Sequence, residues 1–291
     1  MSKPIFAIVL LVLSSFAQAA PGPDFDAVQF KSQDLGNGIH MLQGMGGNLG
    51  LSVGEDGTFL IDDDFAPLAD KVMAAVAEIS DSPVDYLVNT HWHGDHTGGN
   101  AALHTHQNSR IIAHDNVRVR MAAPGPQQSP PEALPQLTYS ENATLHYNGH
   151  TINLIHVSNA HTDGDTIIKF QEANIIHTGD CMFNGLYPFI DVGSGGGSAG
   201  YIDALKLIHN LADDDTQIIP GHGPLASKAD VAGTIEFLSS ARDKVKALVD
   251  QGMSLEAVLE ADPLKEYHGK YAWGFINGER FTTILYGDLS R

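Results

Sequence analysis

Four potential metal ligands fall within one short run of this chain, His91, His93, Asp95 and His96 in HWHGDH. Imidazole and carboxylate are the nitrogen and oxygen donors that a divalent zinc ion takes at about 2.0 to 2.2 Å. A single histidine is most often a surface or satisfied core residue, so the joint spacing is what points to a metal. Successive side chains of an extended segment face opposite sides. His91 and His93 therefore share one ion, and Asp95 and His96, displaced along the chain, are free to approach a second.

Further ligands are expected at three later strand ends. His161 follows a β-rich run in SNAHTDGDT, Asp180 follows another in HTGDCMF, and His222 follows a third in IIPGHGPL. Gly221 and Gly223 flank His222, where the lack of a Cβ lets the backbone approach a crowded site. Cys181 sits beside Asp180, but side chains alternate at a strand end, so Asp180 is read as the ligand and Cys181 as packing. His156 and His177 lie near these segments and suit either a place behind a ligand or a place in the core. His40, His104, His106, His114, His146, His150, His209 and His268 show no ligand spacing and are read as surface or packing residues. The Gly-rich stretch 193–200 lacks the lysine and spacing of a phosphate-binding loop and reads as a flexible loop at the site's edge.

The elements that position these residues follow from periodicity. Between 38 and 64 the runs IHML, LGLSV and TFLID, separated by Gly-rich and Asp-Gly turns, predict an antiparallel meander. Leu68, Val72, Val76 and Ile79 have helical spacing, and VDYLVNT then predicts a buried strand leading into the histidine run. A helix from Gly98, a strand RIIAH and a helix over 117–122 follow. The Pro- and Gln-rich stretch 124–135 is a candidate lid or substrate wall, or else a plain connector. Strands are predicted over 137–147, 151–157, 166–171 and 174–178, then a helix over 201–211, a strand TQIIP, and helices over 228–251 and 254–260. Ser254 is the N-cap expected for the last of these, with Glu256 in its first turn. No linker separates the halves, so the expected fold is α/β: a four-layer αβ/βα sandwich, two mixed sheets face to face with helices outside.

The N-terminus carries Lys3, an apolar run over 5–13 and Ala17-Gln18-Ala19, the order of a secretory signal peptide, predicted as 1–19 with one domain over 20–291. The expected location is periplasmic or secreted. No later stretch reaches the ~18 uninterrupted apolar residues of a membrane helix, so no membrane association is expected once the signal is removed. With 16 Lys and Arg against 35 Asp and Glu, net charge −19, the chain would be repelled by phosphate backbones, and nucleic acid is an unexpected partner. The single cysteine excludes an internal disulfide.

HWHGDH followed by His161, Asp180 and His222 in this order resembles the motif set of the metallo-β-lactamase-fold superfamily, over about residues 39–225. Asp62 in LIDDDF matches a structural aspartate of that family. The resemblance implies His91, His93 and His161 on a first zinc, Asp95, His96 and His222 on a second, and Asp180 bridging both. Such a pair makes hydroxide from water near neutral pH. The expected activity is a zinc-dependent hydrolase that uses hydroxide held by two Zn2+ per chain to cleave a carbonyl ester, lactone or amide of a small-molecule substrate. Asp95 is the catalytic candidate, orienting the water or carrying its proton. A dedicated metallo-β-lactamase is the alternative: export favours it, but the resemblance implies cysteine or serine at position 180 in the principal β-lactamases. Iron suits the same donors, so an iron-dependent persulfide dioxygenase-like oxidoreductase is the alternative of another class.

Overall fold

A computed structural model describes residues 22–291, and the predicted signal, 1–19, lies outside the described residues. The first half runs β1 (Lys31–Gly36), β2 (Ile39–Gln43), β3 (Leu49–Gly54), β4 (Gly57–Ile61), α1 (Ala69–Ala77), β5 (Val84–Val88), α2 (Gly94–Thr97), α3 (Asn100–Gln107), β6 (Arg110–His114), α4 (Asp115–Ala122) and β7 (Leu137–Tyr139). The second half runs β8 (Asn142–Tyr147), β9 (His150–Val157), β10 (Asp165–Phe170), β11 (Ile175–His177), α5 (Ser198–Leu211), β12 (Gln217–Ile219), α6 (Lys228–Val249), α7 (Leu255–Ala261), α8 (His268–Tyr271) and α9 (Gly278–Leu289).

Strands β1 to β7 form one seven-stranded sheet in sequence order, antiparallel up to β4 and parallel from there. The other sheet has five strands in the order β12-β11-β10-β9-β8, antiparallel except for the β11/β12 pair. The layering follows from the period of two along each strand. Phe59, Ile61, Val88 and Ile112 of the first sheet meet Ile168, Phe170, Ile175 and Ile219 of the second in a shared core. Their neighbours Leu60, Leu87 and Ile111 point the other way, onto Val72 and Val76 of α1 and Leu103 of α3. On the second sheet Ile167, Ile176 and Ile218 point outward onto Tyr201 and Leu205 of α5 and Phe237 of α6. This is the expected αβ/βα sandwich of two mixed sheets, and among the described residues no helix is long and apolar enough to cross a membrane.

Three expectations about elements need correction. The stretch 137–147 is not one strand: β7 pairs with β6 in the first sheet, and β8 pairs with β9 in the second. The chain changes sheets at Ser140 and Glu141, where His114 Nε2 donates to the Ser140 carbonyl at 2.9 Å. Strand β1 precedes the predicted meander and escaped the pattern because five of its six residues are exposed. Helices α8 and α9 follow the last predicted helix, and α9 is capped by Asn277, which accepts from Arg280 N at 2.8 Å. Ser254 caps α7 as expected, accepting from Ala257 N. A full capping box, not anticipated, joins Ser227 and Asp230 at the start of α6.

Candidate metal centre

Every candidate ligand stands on a loop just beyond a strand, at one edge of the sandwich. His91 and His93 follow β5, and Asp95 and His96 ride on the single turn of α2. His161 lies between β9 and β10, Asp180 follows β11, and His222 follows β12. The fold gathers them into two clusters, His91, His93, His161 and Asp180 in one and Asp95, His96 and His222 in the other, with ligand atoms within 4.8 Å of one another in each. Asp180 faces both. Its Oδ2 is 3.8 Å from His91 Nε2 and 3.4 Å from His161 Nε2, and its Oδ1 is 3.1 Å from His96 Nε2 and 3.4 Å from His222 Nε2.

The imidazoles are oriented from behind, which sets the atom each presents. His161 Nδ1 donates to the Phe189 carbonyl at 2.7 Å, and His91 Nδ1 lies 3.0 Å from Thr90 Oγ1, so both present Nε2 inward. His93 is reversed, because its Nε2 donates to Asp191 Oδ2 at 3.0 Å and Nδ1 faces the cluster. Asp62, at positive φ, accepts from Thr90 N, Thr90 Oγ1 and His96 Nδ1, each at 2.7 Å. That satisfies the structural place expected of it.

The buried inward atoms need a cation. His91 Nε2, His96 Nε2 and Asp180 Oδ1 are buried without a hydrogen-bond partner. His93 Nδ1 and His161 Nε2 face each other 2.8 Å apart, both as lone pairs given the bonds made by their other nitrogens. Orphaned buried donors and acceptors are costly, and a divalent ion among nitrogen and oxygen ligands removes that cost. The electrostatics agree for the first cluster, whereas in the second, against burial, Asp180 and Asp95 raise His96 well above the usual imidazole range and lift His222 to about 9. Burial holds His91 well below the usual imidazole range and His161 down at about 4, the neutral form that ligation requires. Burial opposes ionisation of Asp95, but His96 and His222 outweigh it and hold the carboxyl at about 2. Asp180 is likewise held well below its ordinary value, against burial, by His96, His222 and His161.

Glycines allow the closeness. A Cβ on Gly221 would lie 2.0 Å from Asp180 Oδ1, as the flanking glycines of His222 led us to expect, and one on Gly47 would lie 2.1 Å from His96 Cε1. The stretch 193–200 is packed rather than loose: Gly196 runs against the His161 backbone, and Gly197 N donates to the Ala160 carbonyl at 3.0 Å. Cys181 is buried, and burial pushes its thiol well up, which fits packing rather than chemistry.

His177 and His156 part ways. His177 accepts from Gly179 N, next to Asp180, and donates to the Asn48 carbonyl, so it holds the ligand loop. His156 instead stacks on His114, ring centroids 3.7 Å apart, away from the clusters. Asp191, Thr90 and Asn48 went unnoticed in the sequence. An Asn or Asp after a β-rich run, as in PFIDV, was the available signal, and it is too common to single out.

Over the clusters lies a cavity of about 420 Å³, whose lining includes His93, Asp95, Asp180 and His222 together with Phe65, Phe189 and Trp273. Residues 124–135 are not among its described lining residues. Pro124 and Gln128 border a separate recess with Trp92 and Arg120, so this stretch is not a wall of the metal cavity.

A family model described as the metallo-beta-lactamase superfamily matches residues 44–222. The chain is 23% identical over 203 residues to a beta-lactamase-like protein 2 homolog of Caenorhabditis elegans, covering 69% of this chain and 63% of that one. It is 28% identical over 163 residues to a hydroxyacylglutathione hydrolase of Polaromonas sp., covering 54% of this chain and 55% of that one. The chain thus spans less than two thirds of the length of these relatives. Among solved structures it resembles a metallo-beta-lactamase from Pontibacter korlensis, TM-score 0.63 at 15% identity over 72% of this chain and 99% of that one. The DIM-1 metallo-beta-lactamase gives TM-score 0.61 at 15% identity over 74% and 99%. These structural likenesses concern the fold.

Proposed function

Since this chain belongs to the metallo-beta-lactamase superfamily, we propose that it is a hydrolase that holds two zinc ions and cleaves a carbonyl ester, lactone or amide, β-lactams included. The observation that carries this reading is the placement of Asp180, one oxygen turned to His91 and His161 and the other to His96 and His222. In this reading His91, His93 and His161 would hold one ion and Asp95, His96 and His222 the other, with Asp180 facing both groups. When bound, the pair supplies an activated water and a Lewis acid for the carbonyl.

The chain's own residues supply the rest. Asp95 is ionised at neutral pH and lines the cavity, with its Oδ2 3.3 Å from His222 Nε2. It is the group positioned to take the proton of the attacking water and pass it on. The water oxygen bonds to the carbonyl carbon, the bond from that carbon to the leaving heteroatom breaks, and the heteroatom receives the proton. The products are an acid and an alcohol or amine. Cys181 is too deeply buried to serve as a nucleophile.

Metal content by elemental analysis, with hydrolysis of p-nitrophenyl acetate, a simple lactone and nitrocefin before and after chelation, tests this. Zinc in a paired site and chelator-sensitive turnover are the expected result. Absence of turnover on the whole panel sinks the proposal, and iron with oxygen consumption replaces it by the dioxygenase reading. Export belongs to the same proposal: the protein recovered outside the cytoplasm should begin at Ala20.

A further inference from the structure

We infer that the cavity selects uncharged substrates carrying a linear or aromatic apolar group, and discriminates against substrates with a carboxylate next to the scissile carbonyl's apolar arm; this rests on the hydrolase reading above. The argument begins with what lines the cavity. Its polar side chains are His93, Asp95, Asp180 and His222, all members of the two clusters. The remainder is apolar, chiefly Met45, Phe65, Phe183, Phe189, Trp273 and Phe275. Among the described residues no Lys or Arg lines it.

The apolar wall is built rigidly rather than left by accident. Trp273 Nε1 donates to the Tyr187 carbonyl at 3.0 Å, which spends the indole's polar atom and fixes its ring. Phe183 stacks on His222, centroids 4.8 Å apart at 22°, and Phe189 leans on both His93 and Phe275. Arg280 backs this wall. Its guanidinium lies 4.0 Å from the Phe275 ring centroid and 5.6 Å from that of Phe189, and Nη1 donates to the Phe275 carbonyl at 2.9 Å. The guanidinium lies over these rings from outside the cavity, and Arg280 itself is exposed.

Met45 and Phe275, 40% and 48% exposed, line the cavity and so stand at its mouth. Trp273 and Phe275 lie beyond the region that matches the family model, and Met45, Phe65, Phe183 and Phe189 lie within it. A carboxylate seated against these rings would be desolvated without a partner, and the chain's net charge of −19 opposes its approach. Among the bond classes proposed above, neutral acyl or aryl esters and lactones are therefore ranked ahead of carboxylate-bearing β-lactams.

The test is a matched pair on the full zinc-loaded protein, p-nitrophenyl hexanoate and mono-p-nitrophenyl adipate, which share a leaving group and chain and differ in a terminal carboxylate. The hexanoate should have a kcat/KM about tenfold higher or more, and from acetate to hexanoate kcat/KM should rise about threefold per methylene, mostly through KM. Phe275→Ser should flatten that series, and Phe275→Arg should narrow the gap between hexanoate and adipate. Equal or reversed preference within the pair, or a flat series in the unaltered protein, overturns the inference. If neither ester is hydrolysed, the lactone and nitrocefin assays still decide the hydrolase reading, and selectivity is decided by calorimetric binding of hexanophenone against 6-oxo-6-phenylhexanoate. Tighter binding of the ketone supports the inference, and equal or tighter binding of the acid overturns it.

Discussion

His177 Nε2 donates to the backbone carbonyl of Asn48 across 3.1 Å, joining the last residue of β11 in one sheet to the β2–β3 loop of the other. Both residues are buried, and each also holds a ligand loop. His177 Nδ1 accepts from Gly179 N, beside Asp180. Asn48 N donates to the Gly221 carbonyl at 2.7 Å, and Asn48 Nδ2 donates to the Pro220 and Gly223 carbonyls at 2.8 and 2.9 Å. The pair therefore sets the loops of Asp180 and His222 relative to each other.

Asn48→Ala should remove the side-chain clamp on the His222 loop and leave the Pro220 carbonyl without its donor, while Gln43 still donates to the Gly223 carbonyl, costing about 1 to 3 kcal/mol of stability. Denaturant unfolding measures this. Affinity for the second metal equivalent should fall more than for the first, since His222 belongs to only one cluster.

Burial holds His177 at about 4, below the ordinary 6.5, so the folded protein keeps it neutral while the unfolded chain takes up a proton. Its contribution to stability is fully present above pH 6.5 and is lost as pH falls toward 4, on the order of 3 kcal/mol. In His177→Gln, unfolding free energy measured from pH 7 to pH 4 should fall less steeply than in the unaltered protein. Parallel curves would refute this. His161 titrates in both proteins, so it cancels in the comparison.

Asp191 turns His93 so that Nδ1 faces the cluster, and is itself steadied by Ser194 N at 3.0 Å. Asp191→Ala should weaken metal binding by about 10 to 100-fold, as for other groups that orient a ligand from behind. Competition with a chromogenic chelator gives the value, and unchanged affinity would reduce Asp191 to a surface carboxylate.

Cys181→Ala should retain turnover within about twofold and cost on the order of 1 kcal/mol of stability, the price of a small buried group. Loss of activity with the fold and metal content intact would overturn the packing role. The native thiol should also resist alkylation until the protein unfolds.

Chelation should lower the melting temperature, because ions bind the folded state alone. The shift corresponds to about 4 kcal/mol when free metal exceeds its dissociation constant a thousandfold. Scanning calorimetry with and without chelator measures it, and the shift should shrink in Asp180→Ala, which removes the carboxylate shared by both clusters.

The chemistry was legible because it is written locally. HWHGDH packs four ligands into consecutive turns of chain, and His161, Asp180 and His222 each follow a short β-rich run visible in a few residues. Alternation exposed the two sheets and the outer helices, since Phe59 and Leu60, or Ile175 and Ile176, must face opposite layers. One expectation failed: 137–147 is predicted as a single strand although Ser140, Glu141 and Asn142 interrupt its β-rich runs, and the runs on either side pair in different sheets.

The sequence by itself determined which atoms can bind metal and the period-two layers that carry them, because donor type and alternation are properties of short segments. Tertiary structure alone decided which nitrogen of His93 points inward, through Asp191 98 residues away. It also decided how Asn48 reaches the His222 loop and how Trp273 and Phe275 come to wall the cavity. Those contacts join distant segments, and their geometry exists only once the two sheets have packed face to face.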